Sequence, residues 1–138
     1  MALMTTPEGR LKQVTVFGTY TFFNAKDFIL YLYKFRKIDL VTYTFNCKLA
    51  AGSLNLNRVI YNTFWGGELA TVGIKRKQCE NVHTKMYIGY TGIPFKQPEV
   101  WVGSYNFNYP SYLEIMTRMR DEDVKSAKEY FEKLWKQL

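Results

Sequence analysis

Apolar and polar positions along the chain change period several times, and each change marks a predicted element. Val14 to Thr19 is short, β-branched and apolar, and it reads as a strand. Asn24 then offers a helix cap, with Phe28, Ile29, Leu32 and Phe35 following at helical spacing. Leu40 to Phe45 returns to strand-forming residues. Ser53 is a second candidate cap, with Leu56, Val59, Ile60 and Phe64 on one helical face and Gly66-Gly67 to end it. Leu69 to Ile74 reads as a strand, Lys75-Arg76-Lys77 as a basic connector, and Val82 to Tyr90 as a further strand. A loop punctuated by Gly89, Gly92, Pro94 and Pro98 comes next. Val100-Trp101-Val102 and Leu113 to Met119 supply two more strands. From Asp121 onward three acids open a helix, lysines occupy its later turns, and Val124, Ala127, Phe131, Leu134, Trp135 and Leu138 form its apolar stripe.

Alternating strands and helices followed by a run of strands predict an α/β sandwich on a mixed β-sheet, closed by a C-terminal helix. The 138 residues make one domain, 1–138, without repeats or a linker. A composition 47% apolar, 22% charged and 17% aromatic is that of a folded globular protein, which excludes intrinsic disorder. The densest apolar run, Phe28 to Tyr33, is far below the roughly 18 residues a membrane span requires. Residues 1–13 lack the apolar core of a secretory signal, so a cytoplasmic protein with no membrane partner is expected. Cys47 and Cys79 are expected as free thiols there, and a chain with one histidine lacks the roughly four soft ligands of a structural zinc site.

Charge narrows the partners. The formal net charge is +7, split as +8 over residues 1–120 and −1 over the last 18, so the positive field belongs to the body of the domain. Such a field attracts polyanions, nucleic acid above all. The terminal helix is acidic overall, which does not suit a membrane-binding surface.

Candidate chemistry gathers in the second half. His83 and Lys85, two residues apart in the predicted strand, would share one face of a sheet. Ser104 and Asn106 share a face by the same period, and Gly103 permits close backbone approach. Glu114 interrupts an otherwise apolar strand and is a natural partner for a histidine.

His83-Thr84-Lys85, Gly103-Ser104-Tyr105-Asn106 and the downstream Glu114 together resemble the phospholipase D superfamily motif, HxK(x)4D(x)6GSxN, and look most like its small single-motif nuclease branch. The chain departs from that pattern twice. Tyr90 stands where the family aspartate falls, and the gap from Lys85 to Gly103 is longer than the family spacing. The tyrosyl-DNA phosphodiesterases of the superfamily carry Asn at that aspartate position, which marks it as supporting rather than chemical.

The resemblance implies a phosphodiesterase, a nuclease that needs no metal or other cofactor. His83 would be the nucleophile, forming a phosphohistidine, with Lys85 and Asn106 on the phosphate oxygens. Ser104 would donate or steer, and Glu114 would hold the second ring nitrogen of His83. A second histidine acts as general acid and then base in the family. With one histidine per chain, two copies must meet on a two-fold axis, so a homodimer is expected. DNA is favoured as substrate with RNA open, as is a larger complex with other subunits. Lys75, Arg76, Lys77, Lys96 and Arg118 are candidates for lining the approach, and Tyr105, Phe107 and Tyr109 for stacking on unpaired bases. The competing reading is a domain whose activity is attenuated or lost through Tyr90 and which acts as a nucleic-acid- or protein-binding module.

Overall fold

The computed structural model describes residues 13–16, 19–50 and 54–138. In chain order the elements are β1 (Gln13–Val16), β2 (Thr19–Phe22), α1 (Ala25–Leu32), β3 (Lys37–Asn46) and the short helix α2 (Cys47–Ala50). There follow β4 (Leu56–Trp65), a 3-10 turn (Glu68–Thr71), β5 (Lys75–Gln78), β6 (Met86–Tyr90), β7 (Glu99–Gly103) and β8 (Met116–Arg118). A second 3-10 turn (Asp121–Asp123) leads into α3 (Val124–Gln137). The strands form one eight-stranded sheet in the order β1-β2-β8-β7-β6-β3-β4-β5. β3, β4 and β5 run parallel, and every other neighbouring pair is antiparallel. This is the expected mixed-sheet α/β sandwich with a C-terminal helix.

Each face of the sheet is covered by its own core. Alternation along the central strands divides the side chains, with Leu40, Val59 and Tyr87 going one way and Val41, Ile60, Met86 and Ile88 the other. The first set packs with Phe28, Leu32, Phe35 and Trp101 beneath α1, and the second with Val124, Ala127 and Phe131 of α3. Asn24 caps α1 as predicted, its Oδ1 accepting from the Asp27 N–H at 2.9 Å.

β4 replaces the helix expected after Ser53, and Ser53 itself lies outside the described residues. The spacing of Leu56, Val59, Ile60 and Phe64 fits a helix, but a strand covered on both faces also shows adjacent apolar residues. Here Val59 enters the core under α1 and Ile60 the core under α3, a division that only an extended backbone allows.

The remaining differences are local. Leu69 to Ile74 is a 3-10 turn and a bend rather than a strand, with Gly73 at φ +85° and with Leu69 and Val72 facing water. Lys75-Arg76-Lys77 is not a connector but most of β5, a charged strand on the outer edge of the sheet, where charge discourages further pairing. The segment read as Val14 to Thr19 falls across the ends of β1 and β2, with residues 17 and 18 outside the described set. The strand expected from Val82 begins only at Met86, and the one expected from Leu113 only at Met116. Both cysteines are free, and the Cys47 thiol donates to the Trp65 carbonyl at 2.9 Å.

Candidate active site

Register explains why His83-Thr84-Lys85 is not strand. β6 pairs with β3 only as far as Met86 opposite Val41, which leaves the last residues of β3 without β6 beside them. The chain leaving β7 takes that place. Asn46 N donates to the Phe107 carbonyl at 2.8 Å, Phe107 N donates to Thr42 Oγ1 at 3.1 Å, and Phe45 and Phe107 form a parallel bridge. The HxK and SxN segments therefore meet at one end of the sheet, beyond the carboxyl ends of β3 and β7. Sites of α/β sheets commonly lie there.

Each candidate has a definable anchor. His83 is exposed, and its ring stacks on Tyr43 with centroids 4.8 Å apart and planes 17° from parallel. The backbone on either side is fixed by the buried Val82 and by Thr84 Oγ1, which is 2.9 Å from the Tyr130 hydroxyl of α3. Lys85 is half-buried, and its carbonyl accepts from Gly103 N at 3.4 Å, which brings the motif lysine beside the motif glycine. A Cβ on Gly103 would lie 2.0 Å from the Ile115 carbonyl oxygen, so glycine is required for β7 and the segment before β8 to approach so closely.

Ser104 is bound to that same segment. Its N–H donates to the Ile115 carbonyl at 2.9 Å, its hydroxyl donates to Glu114 Oε1 at 2.9 Å, and it accepts from Ile115 N at 2.9 Å. Glu114, expected to hold the His83 ring, instead has its described hydrogen bond with Ser104. The reason is positional, since Glu114 precedes β8 on the far side of β7 from β3, whereas His83 leans on β3. Burial raises the Tyr87 and Tyr105 hydroxyls well above the usual range, and the Glu114 charge adds to both.

Asn106 is held most firmly. Its Oδ1 accepts from Tyr43 N at 3.0 Å, Thr44 N at 3.3 Å and the Thr42 hydroxyl at 3.1 Å. Because two of these partners are backbone N–H groups, the atom facing them must be the amide oxygen. The Nδ2 group is thereby left to donate elsewhere, as a phosphate oxygen requires.

The outer candidates are more dispersed. Lys75, Arg76 and Lys77 lie on β5, separated from β6 by β3 and β4. Arg76 lies over Phe64 and pairs with Glu68, and Lys77 donates to the Trp135 carbonyl at 3.0 Å. Lys96 is in the loop between β6 and β7, at the opposite end of the sheet from His83. Arg118 closes β8, away from the Gly103 end, and pairs with Asp121. Tyr105 and Phe107 require correction as base-stacking residues. Each is 1% exposed, with Tyr105 packed on Tyr87 and Phe28, so neither ring can meet a base. Tyr109 remains exposed. Tyr43 joins the site through its ring stack on His83, and no motif in the sequence marks it.

No family model and no curated protein matches the sequence. The fold, a mixed α/β sheet covered on both faces and closed by a C-terminal helix, has a counterpart among solved structures. Among solved structures the chain is similar to NucT from Helicobacter pylori, with 17% identity, 80% of this chain and 86% of that chain covered, and a TM-score of 0.50. No helix among the described residues is long and apolar enough to cross a membrane.

Proposed function

We propose that the protein is a phospholipase D-like phosphodiesterase that cleaves nucleic acid, DNA in preference to RNA, without a metal and as a homodimer. The observation that supports this most is convergence. His83, Lys85, Ser104, Asn106 and Glu114 span 32 positions, yet contacts through Tyr43, Gly103 and Ile115 join them at one sheet end.

In the proposed reaction an imidazole nitrogen of His83 attacks phosphorus, and the P–O bond to the leaving alcohol breaks. Lys85 and the Asn106 amide take up charge on the remaining oxygens as they gather in the transition state. His83 of the partner subunit protonates the leaving oxygen. It then removes a proton from the water that displaces phosphate from the P–N bond. The chain's one histidine cannot fill both roles, which is the reason for two copies.

The test is digestion of plasmid and single-stranded DNA in EDTA with wild type, His83→Ala and Lys85→Ala. Cleavage should persist in EDTA in the wild type and fall by about 10³-fold or more in His83→Ala. DNA binding should survive that substitution and weaken steeply with salt. Binding without any product from the wild type would overturn the enzymatic reading in favour of the binding module.

A further inference from the structure

We infer that Tyr43 is a positioning residue for His83: its ring is the platform that sets the plane and reach of the nucleophilic imidazole. This rests on the phosphodiesterase reading above, and it names a residue outside the HxK and GSxN segments.

Three observations carry it. First, the two rings lie nearly parallel at 4.8 Å, the geometry of a stacked pair. Second, His83 is exposed on a segment that is not part of the sheet, so strand pairing and burial do not fix its χ angles. Third, the platform is itself fixed. Tyr43 N donates to Asn106 Oδ1, and that oxygen also receives Thr42 and Thr44, so the residue that would bind phosphate holds the strand end carrying the platform. Nucleophile and phosphate ligand are thus referred to one piece of backbone, and their separation is set before substrate arrives. A nucleophile free to rotate would lose much of that orientation, and misplacement by about 1 Å can cost on the order of 10²-fold in rate.

The test uses the single histidine, whose imidazole protons give one set of NMR resonances. Wild type, Tyr43→Phe and Tyr43→Leu are compared by proton spectra and by turnover of bis(p-nitrophenyl) phosphate, with thermal melts as the check on folding. The His83 ring protons should be shifted upfield by the Tyr43 ring in the wild type and Tyr43→Phe, and unshifted in Tyr43→Leu. Tyr43→Leu should lose about 10- to 100-fold in kcat at nearly unchanged KM, and Tyr43→Phe should restore most of it. An unshifted wild-type resonance, a Tyr43→Leu enzyme with full kcat, or a Tyr43→Phe enzyme as slow as Tyr43→Leu would each overturn the assignment. A wild type that turns over no phosphodiester would defeat the enzymatic reading instead. The ring-current shift and its loss in Tyr43→Leu would then decide alone whether Tyr43 orients the imidazole.

Discussion

Asn106 holds two roles on two atoms of one amide, and substitution can separate them. Its oxygen receives Tyr43 N, Thr44 N and the Thr42 hydroxyl, while its nitrogen is the proposed phosphate donor. In Asn106→Ala the Thr42 hydroxyl keeps the Thr44 carbonyl as an acceptor at 2.9 Å and still accepts from Phe107 N. The two backbone N–H groups of the half-buried Tyr43 and Thr44 lose theirs. At about 1 kcal/mol for each net bond, the expected loss of stability is about 2 kcal/mol. In Asn106→Asp the acceptor remains and only the donor is gone, so stability at neutral pH should stay within about 1 kcal/mol of wild type. Both variants lose the donor to phosphate, worth about 10²- to 10³-fold in kcat, and the carboxylate adds repulsion toward phosphate. Urea denaturation read beside kcat on a DNA substrate gives both quantities. Stability should fall only in Asn106→Ala and activity in both. Full activity in Asn106→Asp, or equal loss of stability in the two variants, would refute this division.

Two further predictions concern the buried charges that shape the sheet. Arg58 bridges the fully buried Asp39 at 2.8 Å and Glu132 of α3 at 2.5 Å. Arg58→Ala leaves Asp39 with only Asn57 as a described partner and should cost about 3 kcal/mol or more, whereas Glu132→Ala, at the half-exposed end, should cost about 1 kcal/mol or less by denaturant titration. Burial pushes the Glu99 carboxyl upward, but hydrogen bonds from Tyr31, Lys34 and Trp101 outweigh it, so the group is held below the usual carboxylate range. A depressed folded pKa gives stability that is present above the unfolded value of about 4.3 and lost as pH falls through the lower folded value. Glu99→Gln should therefore be less stable at neutral pH and show a flatter acid limb in melts from pH 7 to 3.

What the sequence revealed follows from where the information lies. Helix α3 was legible because an amphipathic surface helix displays its period directly, and α1 because Asn24 marks its start. β4 was not, because a strand buried on both sides carries no alternation. The candidate catalytic set was legible in residue type and spacing, whereas its supports were not. Tyr43 belongs to a strand 40 positions upstream of His83, and the antiparallel pairing of β3 with β6, which ends at Val41 opposite Met86, brings the two together. Tyr105 and Phe107 lie within and just after the GSxN segment, where the sequence leaves base stacking and core packing both open. Crossing the sheet end turns their rings into the core under α1 while Asn106, between them, remains half-buried.

That geometry also bears on Tyr90, the departure from the motif that most favoured a retired enzyme. Lys85 immediately precedes β6 and Tyr90 ends it, which puts them about 16 Å apart at the strand rise of about 3.3 Å per residue. Tyr90 carries Lys37 over its ring at 4.5 Å, and its phenol is pushed up to about 12, by burial first and then by the Asp39 charge. It is therefore neutral at physiological pH and cannot replace a carboxylate's charge. On the neighbouring strand the buried Asp39 pairs in register with Ile88 and is compensated by Arg58. Under the proposed function, the tyrosine at the motif's aspartate position therefore lies at the end of β6 remote from His83. The groups proposed to engage a phosphate, Lys85 and the Asn106 amide, lie at the other end. Under the proposed function, the change at Tyr90 leaves those groups in place, and the digestion of DNA in EDTA decides between an active enzyme and a binding module.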